Sequence, residues 1–301
     1  MTRSLSVAAI QQHAHEDKQR SLDLTEQHIR AAAQEGAQLV CLQELHATHY
    51  FCQTEDTACF DLAEPLDGPT TQRLARLARE LGVVIVGSIF ERRAAGLYHN
   101  TAVVLEKDGS LAGFYRKMHI PDDPGFYEKF YFTPGDAESP GFTPIKTSVG
   151  VLGVLVCWDQ WYPEAARLMA LKGADLLIYP TAIGWDPRDD EAEQSRQQGA
   201  WETIQRGHAV ANGLPVIAVN RVGHEADPGG SSEGIRFWGH SFITGPQGEI
   251  LAMADDESDT VLLHTLDISH SEDVRRIWPF LRDRRVDAYP PIARRWLGDA
   301  E

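Results

Sequence analysis

The stretch Val151-Leu152-Gly153-Val154-Leu155-Val156-Cys157 is followed at once by Trp158-Asp159-Gln160-Trp161-Tyr162-Pro163-Glu164. Its continuous apolar character predicts a strand that is buried on both faces. The polar and aromatic residues after it, with Pro163, indicate a turn into a helix, because proline favours the first helical turn. A buried strand that ends on a thiol beside such a turn can hold a nucleophile at the edge of a pocket. The alternative is a cysteine that only fills the core, since free cysteines are among the most buried side chains.

Strands and helices alternate on both sides of this stretch. Hairpins are predicted in each half, at 101–116 and 237–254, so we expect mixed sheets covered by helices and a single domain over residues 1–301. Residues 117–148 are predicted to be a long functional loop. The tail 268–301 holds too many apolar residues for a free segment, and we expect it to pack at a subunit interface. Strands are predicted at 5–10, 39–42, 83–90, 101–106, 111–116, 151–157, 175–179, 215–220, 237–244, 249–254 and 261–267, and helices at 17–34, 70–81, 163–171 and 193–212.

The composition is that of an ordinary globular chain. The 301 residues are 43% hydrophobic and 24% charged, and no apolar run is long enough to cross a bilayer. Residues 1–4 lead into the first strand without the apolar segment of a signal peptide, so we expect a cytoplasmic protein without a membrane partner. Acidic residues outnumber basic ones by 44 to 28, which argues against a nucleic-acid partner. Such a surface attracts cationic small molecules, but on composition alone solubility is its commoner role.

Metal-binding signals are absent from the sequence. The four cysteines, Cys41, Cys52, Cys59 and Cys157, contain no C-x-x-C pair, and the twelve histidines contain no H-E-x-x-H. A disulfide framework is not expected in a chain of this size and setting. We therefore expect neither a metal nor another cofactor.

Two charged side chains follow predicted strands, as Cys157 does. Glu44 comes directly after residues 39–43, and Lys117 comes after the strand at 111–116. Each has an ordinary interpretation on its own, a solvated strand end for Glu44 and a surface lysine for Lys117. Together the three lie at strand ends, where α/β proteins carry their active sites. A carboxylate can take the proton of a thiol, and a fixed ammonium stabilises a thiolate or an oxyanion.

Three short segments carry a resemblance to a known family. Leu42-Gln43-Glu44, Tyr115-Arg116-Lys117 and Val156-Cys157-Trp158-Asp159 resemble the signatures of the nitrilase, or carbon–nitrogen hydrolase, superfamily, in the same order along nearly the whole chain. The resemblance implies an α/β fold of the carbon–nitrogen hydrolase type, a four-layer α-β-β-α sandwich. It also implies a catalytic triad of Glu44, Lys117 and Cys157, and a homo-oligomer built from dimers.

Longer segments are similar to the branch of this superfamily that acts on N-carbamoylputrescine: residues 44–46, 50–53, 117–124, 126–136 and 157–167. The resemblance implies that Glu128 is a fourth catalytic residue, which positions the substrate or Lys117; a salt bridge to Lys129 or to another surface lysine is the plain alternative. At the turn after Cys157 we expect a structural ion pair, formed among Asp159, Glu164 and Arg167.

The branch also implies a small cationic carbamoyl substrate, hydrolysed to putrescine, ammonia and carbon dioxide through a carbamoyl group on Cys157. Lys117 and the backbone N–H of Trp158 would hold the oxyanion. The distal ammonium needs a carboxylate or an aromatic face, and the methylenes need apolar walls. The candidates for these contacts are Trp158, Trp185, Tyr127, Asp122, Asp123 and Asp186.

Other activities stay open at this point. An amidase acting on N-carbamoyl amino acids or ω-amides would need an arginine for the substrate carboxylate, and Arg188 and Arg206 are available. A cysteine–histidine pair would use His119, His208 or His240. A non-catalytic ligand-binding or assembly protein on the same fold is the alternative of another class, and the intact triad argues against it.

Overall fold

A computed structural model describes residues 3–298, and its elements follow the predicted alternation closely. The strands are β1 Ser4–Gln11, β2 Leu39–Leu42, β3 Val84–Ala94, β4 Leu97–Leu105, β5 Leu111–Arg116, β6 Ile145–Thr147, β7 Gly150–Val154, β8 Leu176–Pro180, β9 Gly184–Trp185, β10 Val216–Val219, β11 Val222–Glu225, β12 Ile235–Trp238, β13 Phe242–Thr244, β14 Ile250–Met253 and β15 Thr260–Asp267. The α-helices are α1 Lys18–Gln34, α2 Pro69–Leu81, α3 Glu128–Tyr131, α4 Pro163–Leu171, α5 Glu191–Asn212 and α6 Ile268–Ile277. Short 3-10 helices span Phe51–Gln53, Thr57–Leu62, Cys157–Trp161 and Pro290–Ala293.

Two six-stranded mixed sheets form the centre of the molecule. Their strand orders are β15-β1-β2-β3-β4-β5 and β14-β13-β10-β8-β7-β6, and a third, three-stranded sheet has the order β11-β12-β9. In the first sheet β1, β2 and β3 are parallel, and in the second β7, β8 and β10 are parallel. Antiparallel strands flank each parallel core. The carboxyl ends of the parallel strands therefore meet at one edge of each sheet, which is where such folds place ligands.

The two sheets pack face to face, and helices cover their outer faces. One buried cluster joins Val84 of the first sheet to Val154 and Ile178 of the second. A second cluster joins the outer face of the first sheet to Ile29 of α1 and Leu74 of α2, while α4 and α5 contact the second sheet. The order of layers is α-β-β-α, which confirms the predicted fold class.

The strand that decides the fold is shorter than the sequence predicts. It ends at Val154, and Cys157 begins a 3-10 helix with a φ of 43°. The carboxylate of Asp159 accepts the main-chain N–H of Val156 at 2.9 Å, which turns the chain out of the sheet before the cysteine. The thiol is therefore presented by a left-handed turn and not by a strand.

Three further predictions of local structure were wrong in detail. Residues 237–244 are two strands in different sheets, because Gly239 and His240 both have positive φ values, 57° and 51°. Strand β3 continues past Phe90 and pairs with β4 in a hairpin that the apolar pattern did not reveal. The loop 117–148 contains the short helix α3 and the edge strand β6.

The segment after β15 begins as a helix and not as an irregular tail. Asp267 caps α6 by accepting the N–H of Ser269 at 2.9 Å. Large apolar side chains at the end of α6 and after it are exposed to solvent, with Ile277 76% and Trp296 82% accessible. The packing of 268–301 at a subunit interface stays a prediction, and residues 299–301 of that range lie outside the described residues.

Candidate active site

Three of the four predicted catalytic side chains follow strands at the facing edges of the two large sheets. Glu44 lies two residues after β2 and Lys117 directly follows β5, both in the first sheet. Cys157 lies three residues after β7 in the second sheet, and Glu128 is the first residue of α3. All four side chains are almost completely buried, which is unusual for charged residues and indicates a task beyond solubility.

An ammonium between two carboxylates forms the charged centre. Lys117 Nζ donates to Glu44 Oε1 at 2.8 Å and to Glu128 Oε2 at 2.6 Å. The phenol of Tyr50 donates to the second oxygen of Glu128, Oε1, at 2.7 Å. Glu128 therefore pairs with Lys117, while Lys129 lies 3.9 Å from Asp122 instead. The plain alternative of a Glu128–Lys129 salt bridge is wrong.

Burial and mutual charge set the protonation of this centre. Burial alone would lower the pKa of Lys117, but the adjacent Glu128 and Glu44 carboxylates raise that pKa well above its usual range, so the ammonium is retained. Burial raises the pKa of Glu128 to about 7; Lys117 opposes that rise and Glu44 adds to it. Burial, with a contribution from Glu44, raises the pKa of the Cys157 thiol well above its usual range. The resting cysteine is therefore a thiol that needs a base.

Hydrogen-bond donors occupy only one oxygen of the Glu44 carboxylate. Its Oε1 accepts from Lys117 and, at 2.7 Å, from the amide of Asn100, whereas its Oε2 is buried and accepts no hydrogen bond. A buried acceptor without a donor costs stability, and a catalytic role is one reason why native structures keep such a group. Asn100 is a site residue that the sequence analysis did not identify; its only signal was a polar residue inside the apolar strand β4.

The backbone conformation at the site is strained. Among residues 3–298, only Leu45, Cys157 and His240 combine a side chain with a positive φ, at 48°, 43° and 51°. Leu45 directly follows the base, and Cys157 is the thiol itself. Such strain persists where the surrounding structure enforces it, and it clusters at functional sites. Cys157 Sγ lies 4.0 Å from the main-chain oxygen of Ala182, which follows β8.

The histidines proposed as rival bases have other partners. His119 pairs with Asp159 at 2.7 Å and stacks on Tyr162. A ring nitrogen of His208 contacts the main-chain oxygen of Gln160, and a ring nitrogen of His240 contacts the main-chain oxygen of Trp238. The charged groups that act on Cys157 are Glu44, Lys117 and Glu128, so the geometry favours the glutamate–lysine–cysteine arrangement.

The predicted ion pair at the turn after Cys157 was also wrong. Asp159 accepts from the phenol of Tyr115 at 2.9 Å, from the N–H of Val156 and from His119. Arg167 instead donates to the main-chain oxygen of Ala211. Asp159 is thus a fully buried acceptor that shapes the turn and does not reach the cavity.

A cavity of about 410 Å³ leads from Cys157 to the surface. Its floor includes Cys157 and Glu128, and its walls are aromatic and apolar, which suits a chain of methylenes. Three aspartates line it, and none of its lining residues is Lys or Arg. The complete lining is Pro121, Asp123, Pro124, Phe126, Glu128, Cys157, Trp158, Trp161, Ala182, Ile183, Gly184, Asp186, Asp189, Gln197, Ala200 and Trp238.

The predicted substrate contacts divide into two groups. Trp158, Asp123 and Asp186 line the cavity. Trp185 lies behind the wall, with its ring 5.8 Å from that of Trp238 and its N–H donated to Gln194. The remaining two lie outside the lining: Asp122 is exposed near Lys129, and Tyr127 borders a neighbouring cavity.

Asp189 is the lining carboxylate that the sequence analysis missed. It accepts one neutral hydrogen bond, from Gln197 at 2.9 Å, and makes no salt bridge within the described part of the chain. Asp186, by contrast, is paired with the guanidinium of Arg188, whose hydrogen bonds lower the pKa of Asp186. The signal for Asp189 was weak, because it is one of several acids before α5.

The two arginines considered for a carboxylate substrate differ in position. Arg188 borders the neighbouring cavity, which shares Pro124, Phe126 and Asp186 with the first. Arg206 lies on α5, where it donates to the main-chain oxygen of Gly248 and to Glu202. Only Arg188 is near the cavity mouth.

Neither a metal cluster nor a membrane-spanning helix is found where the chain is described. Over residues 3–298, no group of three or more His, Cys, Asp or Glu side chains could hold a metal ion. No helix in that range is long and apolar enough to cross a membrane.

The family follows from a comparison with known sequences. A profile of the carbon–nitrogen hydrolase family matches residues 6–276, so the chain belongs to the carbon–nitrogen hydrolases of the nitrilase superfamily. It is accordingly an amidase that acts on non-peptide C–N bonds.

Comparison with individual proteins shows which members of that family the chain is similar to. An N-carbamoylputrescine amidase of Solanum tuberosum is 45% identical over 95% of this chain and 94% of that protein. A citrullinase of Francisella tularensis is 39% identical over 97% of this chain and 99% of that protein. The crystal structure of a carbon–nitrogen hydrolase from Helicobacter pylori G27 superposes with a TM-score of 0.94 at 54% identity, covering 98% of this chain and 100% of that one.

Proposed function

We propose that the chain hydrolyses N-carbamoylputrescine to putrescine, ammonia and carbon dioxide. The observation that carries this proposal is the cavity between Cys157 and Asp189, which has apolar walls, an acidic mouth and no basic lining residue. A ureido group at the thiol would leave four methylenes against the aromatic walls and the ammonium near Asp189. The similarity to N-carbamoylputrescine amidases over nearly the full length of the chain supports the same substrate.

The first half of the reaction forms a carbamoyl enzyme. Glu44 Oε2, which has no other partner, takes the proton of the Cys157 thiol, and the sulfur attacks the ureido carbon. Lys117 and the N–H of Trp158 stabilise the oxyanion; removal of one such donor typically costs about 3–4 kcal/mol of transition-state stabilisation. When the tetrahedral intermediate collapses, Glu44 gives its proton to the departing nitrogen and the C–N bond breaks.

The second half releases the carbamoyl group. Glu44, again ionised, takes a proton from water, and the hydroxide attacks the carbonyl carbon of the thiocarbamate. The C–S bond breaks, Glu44 returns its proton to the sulfur, and the carbamic acid released decomposes to ammonia and carbon dioxide. Glu128 does not take part in proton transfer: with Tyr50 on one oxygen and Lys117 on the other, it holds the ammonium toward the reacting carbonyl.

Citrulline is the second candidate, because it carries the same ureido group with an amino acid at the far end. Arg188 at the cavity mouth is the observation that favours it, together with the 39% identity to a citrullinase. Against it, Arg188 already makes hydrogen bonds of 2.8 and 3.0 Å to Asp186 through its Nε. A substrate carboxylate would have to displace that partner.

Ammonia release from a panel of substrates tests the assignment. The panel contains N-carbamoylputrescine, citrulline, N-carbamoyl-β-alanine and glutarate monoamide, and we expect the highest kcat/KM for the first. A preference for any carboxylate substrate would replace the proposed one. Absence of turnover with all four would favour the non-catalytic alternative.

We further propose that the exposed apolar surface of α6 and the residues after it packs against a second copy of the chain. Its members are Ile277, Trp278, Phe280, Val286, Tyr289, Ile292, Trp296 and Leu297. A set of this size is more than isolated surface residues and is typical of an interface. Light scattering after size exclusion should give a dimer or larger assembly, and Ile277→Ser with Ile292→Ser should shift it toward the monomer. A wild-type monomer at micromolar concentration would rule the proposal out.

A further inference from the structure

A buried ion pair from the second half of the chain holds the main chain around the general base. Arg221 and Glu225 are almost fully inaccessible and pair at 2.6 Å. The same guanidinium donates to the main-chain oxygens of Glu44 at 3.1 Å, Leu45 at 2.9 Å and Thr48 at 2.9 Å. Three carbonyls within five residues of the turn after β2 are thus fixed by one side chain, which lies just past the end of β10.

The other end of the pair reaches the catalytic centre by a second route. Glu225 Oε2 accepts the main-chain N–H of Tyr50 at 2.5 Å, and the phenol of Tyr50 donates to Glu128. Glu128 and Glu44 in turn share Lys117. These contacts close a ring, which runs from Arg221 through Glu225, Tyr50, Glu128, Lys117 and Glu44 back to Arg221.

We infer that Arg221 and Glu225 are positioning residues: they fix the orientation of Glu44 and, through Tyr50, of Glu128, and so set the rate of the chemical step without contacting substrate. The inference rests on the catalytic roles proposed above for Glu44 and Cys157. It does not depend on which ureido compound is the substrate.

The strained turn explains why a clamp is needed there. Leu45 has a φ of 48°, a conformation that side-chain-bearing residues avoid. Relaxation of this turn would rotate Glu44 and displace its unpartnered Oε2, the atom that the proposed mechanism uses to take the thiol proton. The forked guanidinium can bind several carbonyls and a carboxylate at once, which an ammonium cannot do in the same geometry.

Stability alone does not account for the pair. Buried ion pairs can often be replaced by apolar side chains without loss of stability. The fold contains another pair of the same kind, Arg116 with Glu91, joined by hydrogen bonds of 2.8 and 2.6 Å. Glu91 bonds Thr101 and Arg116 and is not a member of the ring. It provides a matched control for the loss of a buried carboxylate.

The test compares Glu225→Gln with Glu91→Gln. In Glu225→Gln the new amide must direct a donor at either Arg221 or the N–H of Tyr50, so one side of the clamp fails. We expect kcat to fall by about 10- to 100-fold with KM within twofold, as for a small misplacement of a catalytic group. Glu91→Gln should leave kcat within twofold, even where thermal unfolding shows a similar loss of stability.

A readout that needs no ureido substrate separates this inference from the proposed function. Iodoacetamide alkylates Cys157 when Glu44 takes the thiol proton; the S–C bond forms and iodide leaves. Site-resolved mass spectrometry should show alkylation of Cys157 slowed in Glu225→Gln by the same factor as kcat, and unchanged in Glu91→Gln. The wild-type protein could fail to hydrolyse any ureido compound while alkylation still slows in Glu225→Gln and not in Glu91→Gln. That result would contradict the proposed substrate but support the positioning role of Arg221 and Glu225.

Substitutions of Arg221 test the other member of the ion pair. Arg221→Gln should slow alkylation at least as much as Glu225→Gln, and Arg221→Lys should recover part of the rate because it keeps the charge and some donors. The inference is overturned when folded Glu225→Gln and Arg221→Lys both alkylate Cys157 and turn over substrate within twofold of wild type. It is equally overturned when Glu91→Gln slows both reactions as strongly as Glu225→Gln.

Discussion

The floor and the mouth of the cavity differ in how deeply their charged side chains are buried and in how these charges are paired. On the floor, Glu44, Lys117 and Glu128 are fully buried, and every charge has a fixed partner within 2.8 Å. At the mouth, Asp186 and Asp189 lie on the partly exposed segment before α5, and Arg188 extends into solvent. Exposed ion pairs contribute little, whereas a broken buried pair is costly.

From this difference we expect the floor residues to determine the reaction and the mouth residues to determine which substrate is preferred. A change on the floor leaves an uncompensated buried charge, so we expect the proposed catalytic groups to resist substitution. A change at the mouth costs little, so the preference for the far end of the substrate can shift while the reaction stays the same. The relatives named N-carbamoylputrescine amidase and citrullinase, both similar over nearly the full chain, fit that division.

The largest effect should come from the thiol. Cys157→Ser replaces the nucleophile by a hydroxyl that Glu44 cannot ionise, and kcat should fall by about 10⁴-fold or more. The half-buried Cys59 offers a matched control, and Cys59→Ser should keep full activity. Ammonia release measures both. Activity of Cys157→Ser within tenfold of wild type would contradict the mechanism.

The second-largest effect should come from Glu44, the proposed general base. In Glu44→Gln the oxygen can still accept from Lys117 and Asn100, but no lone carboxylate oxygen remains for the thiol proton. We expect kcat/KM to fall by about 10²- to 10⁴-fold. Alkylation of Cys157 by iodoacetamide should slow in parallel. An unchanged alkylation rate would mean that another group deprotonates the thiol.

Glu128 should control the acidic side of the pH profile. Its pKa is raised by burial to about 7, and only the ionised form accepts from both Lys117 and Tyr50. The kcat/KM should therefore fall as pH decreases through about 7, and Glu128→Gln should abolish this limb and lower the plateau about tenfold. The folded state also keeps a proton that the unfolded chain loses above the ordinary glutamate pKa. This group therefore lowers the free energy of unfolding as pH rises toward 7.

A profile whose acidic limb persists unchanged in an active Glu128→Gln variant would assign the limb to another group. Glu91→Gln serves as the control for the loss of a buried carboxylate, since Glu91 is held by Arg116. It should keep the wild-type limb.

The floor was largely predictable from the sequence, because Glu44, Lys117 and Cys157 each come within three residues of the end of a strand, β2, β5 and β7. The unpartnered oxygen of Glu44 and the hydrogen bond from Asn100 could not be predicted, because both depend on the register in which β4 pairs with the neighbouring strands. The contact of Arg221 with Glu44 joins residues 177 positions apart across two sheets, and no local pattern records it. At the mouth, the choice among Asp122, Asp123, Asp186 and Asp189 depends on loop geometry.

At the mouth, Asp189 should affect binding and not chemistry. Its carboxylate makes no salt bridge in the part of the chain described and bonds only the neutral amide of Gln197. Asp189→Asn should therefore raise the KM for N-carbamoylputrescine about fivefold with little change in kcat. Pentylurea, which carries a methyl in place of the ammonium, should be unaffected. Asp122→Asn removes the same charge outside the cavity and is the control. Equal KM changes in both variants would point to net charge alone.

The smallest effect should come from the pair that separates the two candidate substrates. Asp186 holds Arg188 through its Nε at 2.8 and 3.0 Å, so Asp186→Asn should free the guanidinium to meet a carboxylate. The ratio of kcat/KM for citrulline to that for N-carbamoylputrescine should rise by about two- to fivefold, because the pair is exposed and screened. Arg188→Gln in the same background should cancel the rise. A rise that persists without Arg188 would show that the loss of the Asp186 charge alone is responsible, so that the mouth would discriminate by repelling a carboxylate and not by offering a guanidinium.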